Sequence, residues 1–430
     1  MSEKTLVETL KKDRIKIGAY TPILHFDEEH VKLLAEAGVD YAIFRIDNFD
    51  PIPEEHHENL VKWFEKYGVE FSVHCEKYEF QYEGADMLDL SKKDELFFKD
   101  SPAFASYCYV DEPGWMHFDV LGEEIRKFKK EFPGKEAYVN LLPMYSSAKQ
   151  LAKGPWKTKI EYFDEGPGAY KRYLDEFVEK VDVNHIGVDI YPCRRRPKKE
   201  CPEMFPAEYE GFTYDRYLRS IEIVADKCRE SGREFWVCLQ TSCWGTDVRE
   251  ITPAELRWQA YTMLSFGAKA LIYFVFASRR SLTGCMLNPR GETTKLFYAS
   301  KKMCEGIKRL SDLYMEHDNL GAFAVNYDEE KTPYLYMKNP YDVEKFGVIL
   351  DIESNTPLLI GCFEKKDGKG KAFTIVNQQD WAEPKDSVIK MKIDGKVTKY
   401  YDGEPEVMKS ENGVYEFNIA QGDGVFVTVE

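Results

Sequence analysis

The chain has 430 residues and a formal net charge of −16, and 43% of its residues are hydrophobic and 14% aromatic. This length is too great for a single ordinary hydrophobic core and predicts one large domain with a smaller one. The acidic balance argues against a nucleic-acid-binding groove, because such a groove needs a basic face.

The ten cysteines are scattered along the chain, without a CxxC pair or a short Cys/His cluster. This pattern predicts reduced thiols in a cytoplasmic protein rather than a disulfide framework or a zinc site. The first residues, MSEKTLVETLKKDR, are charged and lack an apolar core, so no secretory signal is expected. No run approaches the roughly 18 apolar residues of a membrane-spanning helix, so no membrane partner is expected.

Strand and helix patterns alternate along the first three quarters of the chain. The predicted strands lie at residues 15–24, 41–46, 69–75, 104–110, 137–142, 186–191, 234–240 and 270–276. The predicted helices include one capped by Asp27, those at about 54–67, 116–132, 167–180, 213–231 and 293–316, and one after the Thr252–Glu255 capping box. Eight strands, each followed by a helix, predict a (β/α)8 TIM barrel over residues 1–316.

The loops of this predicted barrel differ between its two ends. Connections from a helix to the next strand are short, as in AGVD, PGK and SGR. Connections from a strand to the next helix are long at residues 75–94, 143–166, 192–212 and 277–292. The long loops belong to the carboxyl-terminal end of the barrel, where active sites of this fold lie.

Residues 317–430 have a different pattern, with short alternating strands such as TPYLYM, FGVILDI, KAFTIVN and GVFVTV. Asp-Gly and Asn-Gly dipeptides at 367–368, 394–395, 402–403 and 412–413 are strong turn signals. This region is therefore predicted to be a small C-terminal antiparallel β-sandwich domain.

Polar and aromatic side chains cluster near the ends of the predicted barrel strands. These candidate substrate-binding residues are Tyr20, Arg45, Asp47, His74, Glu76, Asn140, Tyr191, Gln240, Trp244 and Tyr273. Taken singly, each is as well explained as a satisfied rim group. The long loops carry aromatic residues that suit stacking on sugar rings or else anchor the loops: Tyr78, Phe80, Tyr82 and Trp156. Arg194–Arg196 suit binding of an anionic sugar or else form a solvated basic loop.

The stretch FASYCYVDEPG ends the fourth predicted strand with two acids, Asp111 and Glu112. Burial among aromatics and the adjacent acid would raise the pKa of Glu112 and make it a proton donor near neutral pH. The alternative is that both acids cap a helix beginning near Trp115. Because strand residues alternate in direction, only one of the two acids is expected to face the pocket fully.

Several motifs together resemble one enzyme group. YVDEPG, GVDIYP, FWVCLQTSCWG and AELRWQAYTMLSFGAKALIYF are similar to segments of the bacterial β-galactosidase-like (β/α)8 glycoside hydrolases, as is the terminal sandwich. The resemblance implies a glycosidase in which Glu112 is the acid/base. Two departures stand out: Asp111 replaces the usual asparagine, and Gln240 occupies the apparent position of the nucleophilic glutamate.

An amide cannot attack an anomeric carbon, so the partner carboxylate must come from elsewhere. We choose Asp189 on the sixth predicted strand, with Asp47, Glu76 and Asp111 in reserve, and assign Gln240 to a sugar hydroxyl. Asp189 as a buried, satisfied acid is the alternative. Strands four and six are second neighbours, roughly 9 Å apart, and long side chains can close that gap, so the sequence does not decide between retention and inversion. The spacing slightly favours a water-mediated, inverting scheme or an atypical one.

The sequence thus predicts a cytoplasmic glycoside hydrolase that acts on a carbohydrate substrate without a metal or organic cofactor. His74, Glu76 and Asp47 lack the spacing of a metal site. A sugar-acting lyase with His74 or a tyrosine as base, and a non-catalytic carbohydrate-binding protein, are the alternatives. Homo-oligomerisation is left open.

Overall fold

The computed structural model describes residues 14–22, 27–47, 52–82, 85–153, 167–194, 216–245, 247–381 and 383–430. The strands of its first part are β1 (Lys16–Tyr20), β2 (Tyr41–Ile46), β3 (Glu70–Cys75), β4 (Glu79–Tyr82), β5 (Ala85–Leu88), β6 (Phe104–Asp111), β7 (Glu136–Leu141), β8 (His185–Asp189), β9 (Glu234–Gln240) and β10 (Ala268–Phe274). The helices of the chain are α1 (Glu28–Glu36), α2 (Glu54–Tyr67), α3 (Phe118–Glu131), α4 (Ala148–Lys153), α5 (Pro167–Lys180), α6 (Tyr217–Ser231), α7 (Pro253–Ser265), α8 (Lys295–Met315) and α9 (Val343–Phe346).

Eight of these strands close into a barrel, in the order β1-β10-β9-β8-β7-β6-β3-β2. Every neighbouring pair is parallel. Strands such as β8 are buried along their whole length, as expected where helices cover the outside and side chains fill the inside. The predicted TIM barrel is therefore confirmed.

The helix ends follow local sequence signals. Asp27 accepts a hydrogen bond from the His30 amide and begins α1. Thr252 and Glu255 form the predicted capping box of α7. Gly68 ends α2 with φ +67°, which glycine adopts without steric cost. The turn at Gly68 keeps the connection from α2 to β3 short at the amino-terminal end of that strand.

The segment between β3 and β6 departs from simple alternation. A β4–β5 hairpin and 3-10 helices, the longest at Leu90–Glu95, replace the α-helix expected there. The alternating aromatics Phe80 and Tyr82 lie on β4 and are exposed. The hairpin therefore adds a wall to the carboxyl-terminal end of the barrel.

The C-terminal region is a β-sandwich, as predicted. Its strands are β11 (His317–Val325), β12 (Ile349–Ser354), β13 (Leu358–Lys365), β14 (Lys371–Asn377), β15 (Ser387–Ile393), β16 (Val397–Tyr401), β17 (Glu404–Val407), β18 (Val414–Ile419) and β19 (Gly424–Val429). They form a sheet in the order β11-β13-β14-β19-β16-β17 and a second in the order β12-β15-β18, with an apolar core between them. The predicted strand TPYLYM is wrong: Pro333–Leu335 is a 3-10 helix there.

Helix α7 joins the two regions because it is buried on both sides. One side packs on β9 and β10, and the other contacts β13, β14 and β19. The Trp258 Nε1 donates to Gln378 Oε1 at 2.9 Å, and the Thr374 hydroxyl donates to Ser265 Oγ at 2.6 Å. A side chain at Gly361 would collide with the Ser265 carbonyl oxygen at 2.2 Å, so the sandwich backbone lies directly against the helix.

Across the part of the chain that the structure describes, no helix combines the length and apolar character needed to cross a bilayer. Nine cysteines in the described ranges are buried and carry free thiols. The tenth, Cys201, lies outside those ranges.

Candidate active site

Glu112 leaves the end of β6 in a left-handed conformation, with φ +51°. This backbone conformation is unusual for a residue with a side chain and is fixed by its neighbours. The Glu112 amide donates to the Asn140 carbonyl at 2.8 Å, and the Tyr173 hydroxyl donates to the Pro113 carbonyl at 2.6 Å. Glu112 lies against Asp189, and Asp111 accepts from Asn140 at the end of the neighbouring strand β7, so both acids lie at the mouth of the barrel.

The alternative role of these acids as helix caps is wrong. The short helix Trp115–His117 has Gly114 as its cap and no side-chain capping bond. Helix α3, which follows it, also begins without one. Asp111 and Glu112 are therefore free to act in the mouth of the barrel.

Asp189, at the end of β8, lies against Glu112 across the mouth. The two carboxyl groups lie within hydrogen-bonding reach of each other, so a proton on one can be donated to the other. Asn140, on the intervening strand β7, donates its Nδ2 to Asp189 Oδ1 at 3.1 Å and to Asp111 Oδ1 at 3.4 Å. One amide thus holds two carboxylates, and the three acids form one cluster.

Burial raises the pKa of all three acids in the cluster. For Glu112, desolvation acts first, followed by the charges of Asp189 and Asp111. For Asp189, desolvation and the charge of Asp111 raise the pKa, while the Asn140 amide opposes the shift. Asp111 keeps solvent-accessible surface but lies deep in the barrel mouth, where desolvation raises its pKa. The positive charge of Arg45 opposes part of that rise. The interaction between the two side chains raises the pKa of Glu112 and lowers that of Asp189, which favours Glu112 as the protonated member of the pair.

Four aromatic rings form a wall beside these acids. Tyr191 packs on Trp244 and Phe274, with ring centroids 4.9 and 5.4 Å apart, and Phe274 contacts Tyr20 at 5.8 Å. Tyr191 interacts electrostatically with Asp189, and Tyr20 with Asp111. The wall gives the site an apolar surface of the kind on which the C–H face of a sugar ring stacks.

The prediction that Tyr273 binds substrate is wrong, because its side chain does not reach the barrel mouth. Its side chain is fully buried on the outer face of β10, and its hydroxyl hydrogen-bonds Ser300 and Cys304 of α8, both at 3.0 Å. Consecutive strand residues point to opposite faces, so the next residue, Phe274, lines the site instead.

The prediction that Gln240 binds a sugar hydroxyl is also wrong. It is fully buried, and its Oε1 accepts from the Cys193 amide at 2.9 Å. Its Nε2 donates to the carbonyl groups of Cys193 and Arg249, at 3.1 and 2.8 Å. The amide therefore ties together two loops of the barrel mouth and has no group left for a sugar hydroxyl.

Replacing Gln240 with Ala is accordingly expected to lower the free energy of unfolding by about 3 kcal/mol, since buried backbone groups lose their partners. Urea unfolding followed by circular dichroism measures the loss. The matched control is Gln81→Ala, which removes an exposed glutamine. An equal stability of the two variants would contradict the structural role.

Arg45, Asp47 and His74 form a second polar group at the mouth. The Arg45 Nη2 donates to His74 Nε2 at 3.0 Å, and its Nε lies 3.4 Å from Asp47 Oδ2. Glu76 is exposed and begins a 3-10 turn, and the residue that contacts His74 is Glu79, at 3.0 Å from Nδ1.

The sequence missed several residues that the fold brings to the mouth: Glu79, Asp86, Tyr145 and Phe274. Glu79 and Asp86 sit on the unpredicted hairpin, and Tyr145 interacts electrostatically with Asp189 from the loop after β7. Arg194 lies over the Tyr145 ring at 5.7 Å. The predicted loop residues Trp156, Arg195 and Arg196 lie outside the described residues.

A cavity of about 490 Å³ lies at the opposite end of the barrel. Its lining includes Lys16, Glu70 and His185, which begin their strands. The carboxylate cluster instead lies where the strands end. The cavity is therefore separate from the candidate site, which follows the general rule for this fold.

Comparisons with known proteins give two negative results and one informative likeness. No protein-family model matches the chain. No curated protein matches it either. Among solved structures, a catalytic mutant of Gan42B, a GH42 β-galactosidase from G. stearothermophilus, superposes with a TM-score of 0.53 at 8% identity, over 97% of this chain and 98% of that one. The likeness shows that this chain shares the fold of a glycoside hydrolase, as the resemblance implied.

Two further similar structures are an endoxylanase and a β-galactosidase. A GH30 endoxylanase from Clostridium papyrosolvens has a TM-score of 0.44 at 11% identity, over 97% of both chains. A β-galactosidase from the psychrophilic Marinomonas ef1 has a TM-score of 0.43 at 11% identity, over 69% of this chain. The present chain spans 60% of the length of that Marinomonas enzyme.

Proposed function

We propose that the protein is a glycoside hydrolase in which Glu112 donates the proton and Asp189 is the nucleophile. The observation that supports this proposal is the close approach of Glu112 and Asp189 at the carboxyl-terminal end of the barrel, where one proton can be shared between them. A glycosidase needs one protonated and one ionised carboxyl group on either side of the scissile bond. A pair that holds a single proton supplies both.

The contact between the two acids favours a retaining mechanism. Inverting enzymes separate their carboxyl groups by roughly 6.5–9.5 Å to admit a water, whereas retaining enzymes use roughly 5–5.5 Å. Side chains in hydrogen-bond contact suit the shorter separation, which argues against the water-mediated scheme that the strand spacing suggested. In the first step Asp189 attacks the anomeric carbon while Glu112 protonates the leaving oxygen. In the second, Glu112 takes a proton from water while the water oxygen attacks the anomeric carbon, which breaks the bond to Asp189 and releases the sugar.

The neighbouring residues have supporting roles in this proposal. Asn140 donates to Asp189 and holds the carboxylate toward the substrate. Asp111 keeps the proton on Glu112, because its negative charge disfavours ionisation of that acid. Tyr20, Tyr191 and Trp244 would stack on the sugar ring. The density of acids in the mouth favours a neutral sugar over an anionic one.

The proposal is tested with a panel of aryl glycosides, covering several sugars in both anomeric forms. Proton NMR of the first product identifies its configuration before mutarotation, and net retention is expected. Inversion would overturn the assignment of Asp189 as nucleophile. An unsaturated product would favour the lyase, and binding without turnover of any glycoside would favour the carbohydrate-binding protein.

We expect a bell-shaped dependence of kcat/KM on pH, displaced above the range of ordinary carboxyl groups. Rising pH first ionises Asp189, which produces the ascending limb, and then deprotonates Glu112, which produces the descending limb. Both pKa values are raised by burial and by neighbouring acids, so both limbs lie above the usual value of about 4.

The matched variant for this profile is Asn140→Ala. The Asn140 amide lowers the pKa of Asp189, so its removal is expected to move the ascending limb to higher pH. An optimum at about pH 4–5 in the wild-type protein would contradict the predicted environment of the pair.

A further inference from the structure

A second group of ionisable side chains lies beside the candidate active site. His74 belongs to β3, Glu79 begins β4, and Asp86 lies on β5, where it pairs with Gln81. One potential ligand atom from each of the three residues lies within 4.8 Å of the others. An imidazole and two carboxylates at this spacing can bind one common ion.

Glu79 has an unsatisfied oxygen within this group. Its side chain is only 4% exposed. The Oε1 accepts from the Tyr107 hydroxyl at 2.5 Å and lies 3.0 Å from His74 Nδ1. The Oε2 is buried without a hydrogen-bond partner. A buried anionic oxygen without a partner is costly, and a bound cation would relieve that cost.

Asp86 shows the same excess of negative charge. Its side chain is half-buried, and one of its carboxylate oxygens lies within 4.8 Å of the ligand atoms of Glu79 and His74. The two acids therefore repel each other within a partly dry environment. A divalent ion between them would neutralise both.

We propose that His74, Glu79 and Asp86 form a binding site for one divalent transition-metal ion, such as Mn²⁺ or Zn²⁺. The imidazole ligand favours these ions over Mg²⁺ and Ca²⁺, which prefer oxygen ligands alone. Three protein ligands leave positions for water or for a sugar hydroxyl. The site does not depend on the proposed hydrolase activity.

Arg45 competes with this ion for the imidazole of His74. It donates to His74 Nε2, so the ring proton resides on Nδ1 and points toward Glu79. Metal binding through Nδ1 moves that proton to Nε2, and Arg45 can then no longer donate there. The guanidinium keeps Asp47 as its other partner. The loss of a positive charge at Arg45 would therefore strengthen metal binding.

The test is titration of the full chain with MnCl₂, followed by electron paramagnetic resonance of the free ion. Mn²⁺ is the first probe because it binds thiols weakly, and ZnCl₂, MgCl₂ and CaCl₂ follow by calorimetry. The variants are Glu79→Gln, Asp86→Asn and Arg45→Met. The matched control is Glu76→Gln, an exposed acid at the end of the same strand.

We expect one bound Mn²⁺ per chain, with affinity reduced at least about tenfold in Glu79→Gln and Asp86→Asn. Glu76→Gln should bind as the wild type does, and Arg45→Met should bind more tightly. Asp86 does not share the Tyr107 contact, so its variant serves as an independent check if Glu79→Gln is misfolded. The proposal is overturned if the wild type binds no stoichiometric ion or if Asp86→Asn binds it unchanged. Binding and glycoside turnover are measured separately, so either proposal can fail alone.

Discussion

The Glu112→Gln variant is expected to lose about a thousandfold in kcat/KM toward a glycoside with a poor leaving group. Glutamine keeps the shape of the side chain and can still contact Asp189, but it cannot protonate the glycosidic oxygen. Steady-state kinetics of the purified variant measure the loss. The matched control is Glu123→Gln, which alters an exposed acid on the helix that follows the same strand.

Leaving-group chemistry separates loss of the acid from loss of the fold. A dinitrophenyl glycoside needs no protonation, so its first step should survive in Glu112→Gln and give a burst of phenolate. If both leaving groups lose activity equally while thermal unfolding is unchanged, Glu112 is not the proton donor.

The Asp189→Gly variant is expected to lose on the order of 10⁴-fold in kcat. The substitution removes the proposed nucleophile and leaves a space beside the anomeric carbon. Added azide should restore turnover of an activated glycoside by attacking from that space, and the glycosyl azide should have the opposite anomeric configuration to the substrate. Product NMR identifies it.

Two control variants test this interpretation. Asp182→Ala, which removes an exposed acid before the same strand, should be fully active and unaffected by azide. Azide rescue of Glu112→Gly should instead yield the azide of unchanged configuration. If the two glycine variants gave the opposite azide products, the roles of Glu112 and Asp189 would be exchanged.

The barrel could be predicted from the sequence because each element carries its own local signal. Apolar strands such as ALIYFVF, the capping box at Thr252 and the glycines that end helices depend little on distant residues. The sandwich was predicted from its turn dipeptides for the same reason. TPYLYM failed because Pro333 favours a turn, which its alternating pattern concealed.

The site was harder to predict because it depends on the direction in which each side chain points and on partners that are distant in sequence. Tyr273 and Phe274 differ by one position, and only the register of β10 decides which ring faces inward. Gln240 was assigned to substrate because its backbone partners, Cys193 and Arg249, are far from it in sequence. The convergence of Asp111 with Glu112 required a left-handed turn that strand alternation does not indicate.

Helix α7 makes the sandwich part of the support of the barrel that carries the candidate active site. Trp258 and Tyr261 are buried, and the sandwich covers the side of the helix that faces away from β9 and β10. A chain shortened to residues 1–316 would expose that apolar side to water and would be prone to aggregation. Random mutations in the sandwich would then reduce activity by lowering the amount of folded protein, without altering the chemistry. Directed evolution of this protein should therefore include both regions, because substitutions that strengthen the sandwich increase the number of barrel mutations that the molecule tolerates.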